Sequence, residues 1–109
     1  MLKIFLDDIR DPPDNTWKVY RDPRDVNFMK DIYNADIVSF DHDLGEGVPT
    51  GYDVLRTIEE EVFRQGLWAR NGAPELLIHS ANPVGCSSMD AAIKAIYRVV
   101  HKRKEQESD

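Results

Sequence analysis

Three short stretches of this sequence bring together residue types that do chemistry at neutral pH. Asp7-Asp8, with Arg10 close behind, opens the chain; Asp41-His42-Asp43 lies near its middle; His79-Ser80, with Asn82, lies in the last third. Clustered carboxylates repel one another unless a cation or a shared proton relieves them, so convergence of Asp7 and Asp8 with Asp41 or Asp43 points to a divalent-ion site. Aspartate ligation favours Mg²⁺ or Mn²⁺, and a site that used both histidines would move the choice toward Zn²⁺ or Mn²⁺. Two of the three histidines, His42 and His79, lie in these stretches. An imidazole pair can serve as general base and general acid on opposite sides of a phosphate, since each titrates near neutrality. Arg10, Ser80 and Asn82 supply donors that would position phosphate oxygens.

Each of these residues also has an ordinary structural reading. Asp7 and Asp8 can end a strand and close the turn toward Pro12, and Arg10 can simply pair with Asp7, Asp8 or Asp11. A lone histidine at a strand end commonly packs, and Asn82-Pro83-Val84-Gly85 can be a capped loop. Its helix start would offer free amides to an anion, with Ser87 and Ser88 adding hydroxyls. Cys86 has no activating base near it in sequence and reads as a packed or exposed thiol.

The elements that would carry these residues follow from periodicity and punctuation. Leu2 to Leu6 is a brief apolar strand, and Trp17 to Tyr20 alternates as a half-buried strand does. Asp22 and Pro23 predict a helix start, with Val26, Met29 and Tyr33 on the buried face and Ile32 and Phe28 beside them. Asp36 to Phe40 is the next strand. Thr50 opens a helix whose buried face is Val54, Leu55, Ile58 and Val62 and whose stop is Gly66. Glu75 to Ser80 reads as a buried strand. Ser87 and Asp90 resemble a capping box for a last helix with Met89, Ile93, Ile96, Tyr97 and Val100 on one face.

Strands alternating with helices predict a small, doubly wound, mostly parallel α/β sheet with helices on both faces. In such sheets the ligand sits outside the carboxyl ends of the strands. Asp7, Asp8 and Arg10, then Asp41, His42 and Asp43, then His79, Ser80 and Asn82 each follow one of the apolar strands, so parallel pairing would line them along one edge. Strand alternation keeps His42 off the face shared by Asp41 and Asp43 unless the chain turns there. A turn is expected, with His42 and at least one aspartate facing the ligand.

The 109 residues suit one domain over residues 1–101, with a charged, disordered tail over residues 102–109. A formal charge of −6 excludes broad, sequence-independent adhesion to nucleic acid or to an anionic membrane. It leaves room for one nucleotide or RNA end in a small site. The single cysteine excludes an internal disulfide and fits a reducing compartment. The opening apolar run is too short for a signal peptide and no run reaches membrane-spanning length, so a cytoplasmic location is expected. No feature specifies an oligomeric state.

The acidic pair Asp7-Asp8, Asp43 eight residues before Gly51, and Ser80-Ala81 resemble the receiver domain of response regulators. That resemblance implies aspartyl-phosphate signalling through Asp43, but the final lysine-bearing strand of that family is missing. A resemblance covering nearly the whole chain is to the cyclic-phosphate processing receiver domain of bacterial and phage proteins. It rests on Phe5 to Pro13, Trp17, Ser39 to Gly45, Thr50 to Asp53, His79 to Gly85 and Met89. It implies a receiver-like fold and a phosphoesterase acting on a cyclic phosphate, either a 2′,3′-cyclic RNA end or a cyclic nucleotide. On that reading Asp7, Asp8 and Asp41 or Asp43 hold the cation and His42 and His79 move protons. The alternative is a non-enzymatic module that binds a nucleotide or a partner.

Overall fold

The computed structural model describes residues 1–107, with side chains through residue 103. Four strands, β1 (Lys3–Leu6), β2 (Lys18–Tyr20), β3 (Ile37–Phe40) and β4 (Glu75–Ile78), alternate with α1 (Phe28–Tyr33), α2 (Gly51–Gln65) and α3 (Pro83–Glu107). All pairings are parallel, in the order β2-β1-β3-β4. The register sets Leu6 opposite both Tyr20 and Phe40, and Phe40 opposite Ile78. Because β1, β3 and β4 end level, the residues that follow them leave the sheet side by side.

Side-chain alternation divides the sheet into two unlike faces. Ile4, Leu6, Val38 and Phe40, all fully buried, point to one side together with Tyr20 and Leu76. There they meet Phe28 and Ile32 of α1, Val54, Leu55, Ile58 and Val62 of α2, and Met89, Ile93, Ile96 and Val100 of α3 in a single core. Each fully buried aliphatic or phenyl side chain contributes about 1.5–3 kcal/mol. The other side carries Lys3, Phe5, Val19, Ile37, Ser39 and Leu77, none of which joins that core. The parallel α/β sheet is as expected, but the helical layer anticipated on this second face is missing among the described residues. The topology explains it: the crossovers from β2 to β3 and from β3 to β4 advance in the same direction, and right-handed connections then put their helices on the same face. The proline-bearing loop from β1 to β2 supplies no helix for the other.

Helix α2 matches its sequence signature. Thr50 and Asp53 form a reciprocal capping box, and Gly66 closes the helix at φ 70°. Helix α1 differs from expectation. Asp22 accepts from the amide of Arg24 (2.8 Å) and Asp25 from that of Asn27 (3.0 Å), and these local turns hold off the helix until Phe28. Val26 is therefore 90% exposed, and Phe28 and Ile32 are the core pair instead. Helix α3 starts a turn earlier than Ser87 and Asp90 suggest. Asn82 caps it, accepting from the amide of Gly85 (3.0 Å), with Pro83 as the first helical residue. It continues past residue 101 to Glu107, and residues 108–109 of the expected tail lie outside the described residues. Strand β4 is an edge strand, with Leu76 buried and Leu77 38% exposed, where the sequence suggests a buried one. Among the described residues no helix is long and apolar enough to cross a membrane.

Candidate active site

The site begins where β1 ends. Asp7 is 1% exposed, and its Oδ1 accepts from the amides of Ile9 (2.9 Å) and Arg10 (2.8 Å), which turns the chain sharply. Its Oδ2 lies 3.0 Å from Nε2 of His79. Burial pushes the Asp7 carboxyl up, but the two amides and His79 outweigh it and hold the pKa below the usual value. Asp41 follows β3 at the same level, with its Oδ1 accepting from the amide of His42 (2.8 Å). Burial, reinforced by the charge on Asp7 and opposed by that amide, raises the Asp41 pKa. With the half-buried Asp8, these residues offer three carboxylate oxygens within 4.8 Å of one another. An all-oxygen donor set in which one carboxyl resists ionisation beside another fits a hard divalent cation.

Close backbone approach fixes this corner. A Cβ on Gly51 would lie 2.0 Å from the carbonyl oxygen of Asp41, so only glycine lets α2 begin against β3. The Gly51 amide donates to the carbonyl of His42 at 2.9 Å.

The two imidazoles each stand behind a carboxylate. His79 stacks on Phe5 (4.2 Å between centroids, 7° between planes), and its Nδ1 lies 2.6 Å from Oγ of Ser39. Burial lowers its pKa despite the neighbouring Asp7, which favours the neutral ring. Arg10 donates to the His79 carbonyl at 3.0 Å, tying the ends of β1 and β4 together. His42 directs Nδ1 toward Oδ1 of Asp43 at 2.9 Å, and its ring rests on the α3 start. A Cβ on Gly85 would lie 2.5 Å from two of its ring carbons. Asn82 donates to Asp43 at 3.3 Å, and the hydrogen bonds from His42 and then Asn82 hold the Asp43 pKa below the usual value.

A cleft of about 680 Å³ opens at this edge, lined by Asp7, Asp8, Asp41 and Asp43 on one hand and Arg10, Ser80 and Asn82 on the other. Residues 2–95 match the family described as the cyclic-phosphate processing receiver domain. The chain belongs to that family. Comparison with curated proteins and with solved structures finds no match.

In this receiver domain seven of the nine residues singled out from sequence line one cleft, and His42 and His79 are absent from its lining. The open choice between Asp41 and Asp43 divides them: Asp41 joins Asp7 and Asp8, while Asp43, 69% exposed at its side chain, pairs with His42. The chain does bend at His42, as expected, but the His42 ring rests against Gly85 and not in the cleft lining, where it was expected to face the ligand. Helix α3 follows β4 directly, with no further strand among the described residues. Four contributors, Phe5, Ser39, Gly51 and Gly85, carried no assigned role in the sequence reading. A serine inside an apolar strand was the available signal for Ser39; the glycine roles depend on contacts between distant segments.

Proposed function

We propose that this receiver domain hydrolyses a cyclic phosphate, either a 2′,3′-cyclic RNA end or a cyclic nucleotide, with Mg²⁺ or Mn²⁺ held by Asp7, Asp8 and Asp41. The observation that carries the reading is the meeting of three carboxylates within 4.8 Å at a cleft whose other lining groups include Arg10, Ser80 and Asn82. A divalent ion bound there supplies charge neutralisation for the phosphate and a lowered pKa for water. Arg10 keeps guanidinium donors beyond the one used on the His79 carbonyl, and these bind phosphate oxygens. Ser80 accepts from the Asn82 amide (3.1 Å) and has its hydroxyl hydrogen to give. In the reaction water adds to phosphorus, one ring P–O bond breaks, and the departing sugar oxygen takes up a proton to leave a phosphomonoester. His42 and Asp43 are assigned the proton transfer, because Asp43 reaches the cleft and, among the described residues, no hydrogen bond reaches Nε2 of His42. His79, with both ring nitrogens occupied, is assigned the support of Asp7.

A second reading, a module that holds the cyclic phosphate without cleaving it, draws on the absence of both imidazoles from the cleft lining. Incubation with a 2′,3′-cyclic-ended oligoribonucleotide and with cyclic nucleotides, with Mn²⁺ or with chelator, separates the two. Metal-dependent ring opening supports the enzyme; tight binding with the ligand recovered unchanged supports the module.

A further inference from the structure

Strand β3 lies between β1 and β4, so His79 can touch Asp7 only by reaching across the end of β3. The residue it crosses is Ser39, which the register sets beside Phe5 on β1 and Leu77 on β4. Ser39 is 5% exposed, and its Oγ meets the one imidazole nitrogen that Asp7 does not. Phe5 clamps the ring from below in near-parallel stacking. Such a buried hydroxyl, covered by an imidazole, has no path to a phosphate and is no nucleophile.

We infer that Ser39 is a positioning residue that anchors the His79 ring and, through it, the orientation of the Asp7 carboxylate toward a divalent cation. The ring is held from two sides: its Nε2 meets Oδ2 of Asp7 at 3.0 Å, and its Nδ1 meets Oγ of Ser39 at 2.6 Å. Oδ1 of Asp7 is occupied by two amides, and His79 takes one lone pair of Oδ2, leaving the other for a cation in the cleft that Asp7 lines. Partners one step removed from a ligand commonly change metal affinity by about 10–100-fold. Without the hydroxyl the ring keeps only its Phe5 stack and its Asp7 contact, and the Asp7 carboxylate loses a fixed support.

This inference rests on the proposed cation site, and its test separates the two. Mn²⁺ binding to the full chain is measured by calorimetry for wild type, Ser39→Ala and Ser39→Thr, and the His79 ring nitrogens are read in metal-free protein by ¹⁵N imidazole NMR. The expected result is one sharp Nδ1 resonance in wild type and in Ser39→Thr. Ser39→Ala should shift and broaden the Nδ1 resonance, bind Mn²⁺ about 10-fold more weakly, and keep a cooperative melt. Unchanged Mn²⁺ affinity in Ser39→Ala would overturn the inference. A wild-type chain that takes up no Mn²⁺ overturns the cation site and the Ser39 role toward it, while an Nδ1 resonance that depends on Ser39 would still uphold the hydrogen-bond chain.

Discussion

His79, the residue after the edge strand β4, places Nε2 3.0 Å from Oδ2 of Asp7, the residue after β1, spanning the end of the intervening strand β3. This contact stitches the carboxyl ends of three strands into one rigid edge, with Ser39 of β3 holding the other side of the ring. The cleft that carries the proposed chemistry is built on that edge.

Asp41 is held in a state that disfavours its own charge, since burial and the neighbouring Asp7 both raise its pKa. Asp41→Asn should therefore leave thermal stability unchanged or raise it, while weakening Mn²⁺ binding by at least ~100-fold, the upper end of what outer partners of a metal ligand cost. Paired melting curves and calorimetric titrations check both halves.

The two glycines that seat the site should respond differently to a methyl group. Gly51→Ala forces a Cβ to 2.0 Å from the backbone oxygen of Asp41, and backbone that cannot yield should cost at least ~2 kcal/mol in denaturant unfolding. Gly85→Ala meets the His42 side chain at 2.5 Å, which can swing away. It should lose less stability than Gly51→Ala and show a larger loss of kcat than of stability.

The pH dependence of folding follows from His79. Its folded pKa lies below the unfolded value of 6.5 because burial disfavours the charged ring. As pH falls below 6.5 the unfolded chain takes up the proton first, so stability declines from there down to the folded pKa. Asp7, whose folded pKa lies below 3.8, adds its loss only at lower pH. His79→Gln should flatten the stability profile just below pH 6.5, and the His79 ring in wild type should titrate below 6.5 by NMR.

The core of α1 is tested by a pair of substitutions. Phe28→Ala removes a fully buried ring that meets Tyr20 edge-on at 5.2 Å, and should cost about 3–5 kcal/mol. Val26→Lys, at 90% exposure, should change stability by no more than about 0.5 kcal/mol. Chemical denaturation of both variants measures the contrast.

Much of this was legible from residues. The apolar runs of β1, β3 and β4, the Thr50 cap and Gly66 stop of α2, and the rule that parallel strands deliver their chemistry at one end were enough to assemble the cleft. What sequence left hidden depends on contacts between distant segments. Asp41 and Asp43 are equivalent by spacing and are separated by the turn at His42, which sends Asp43 to Asn82. The two histidines look like a matched acid–base pair because they follow neighbouring strands. Only their partners show that His79 spends both nitrogens on Ser39 and Asp7. The one-sided helical layer follows from strand order, which periodicity does not encode.

The central claim is tested most directly by following a 2′,3′-cyclic-ended oligoribonucleotide with wild-type protein and Mn²⁺, in parallel with excess chelator and with Asp41→Asn. Opening of the ring to a phosphomonoester with Mn²⁺, lost in both controls, is the result expected. Saturable binding of the oligonucleotide in the presence of Mn²⁺, with the cyclic end recovered intact, would contradict it.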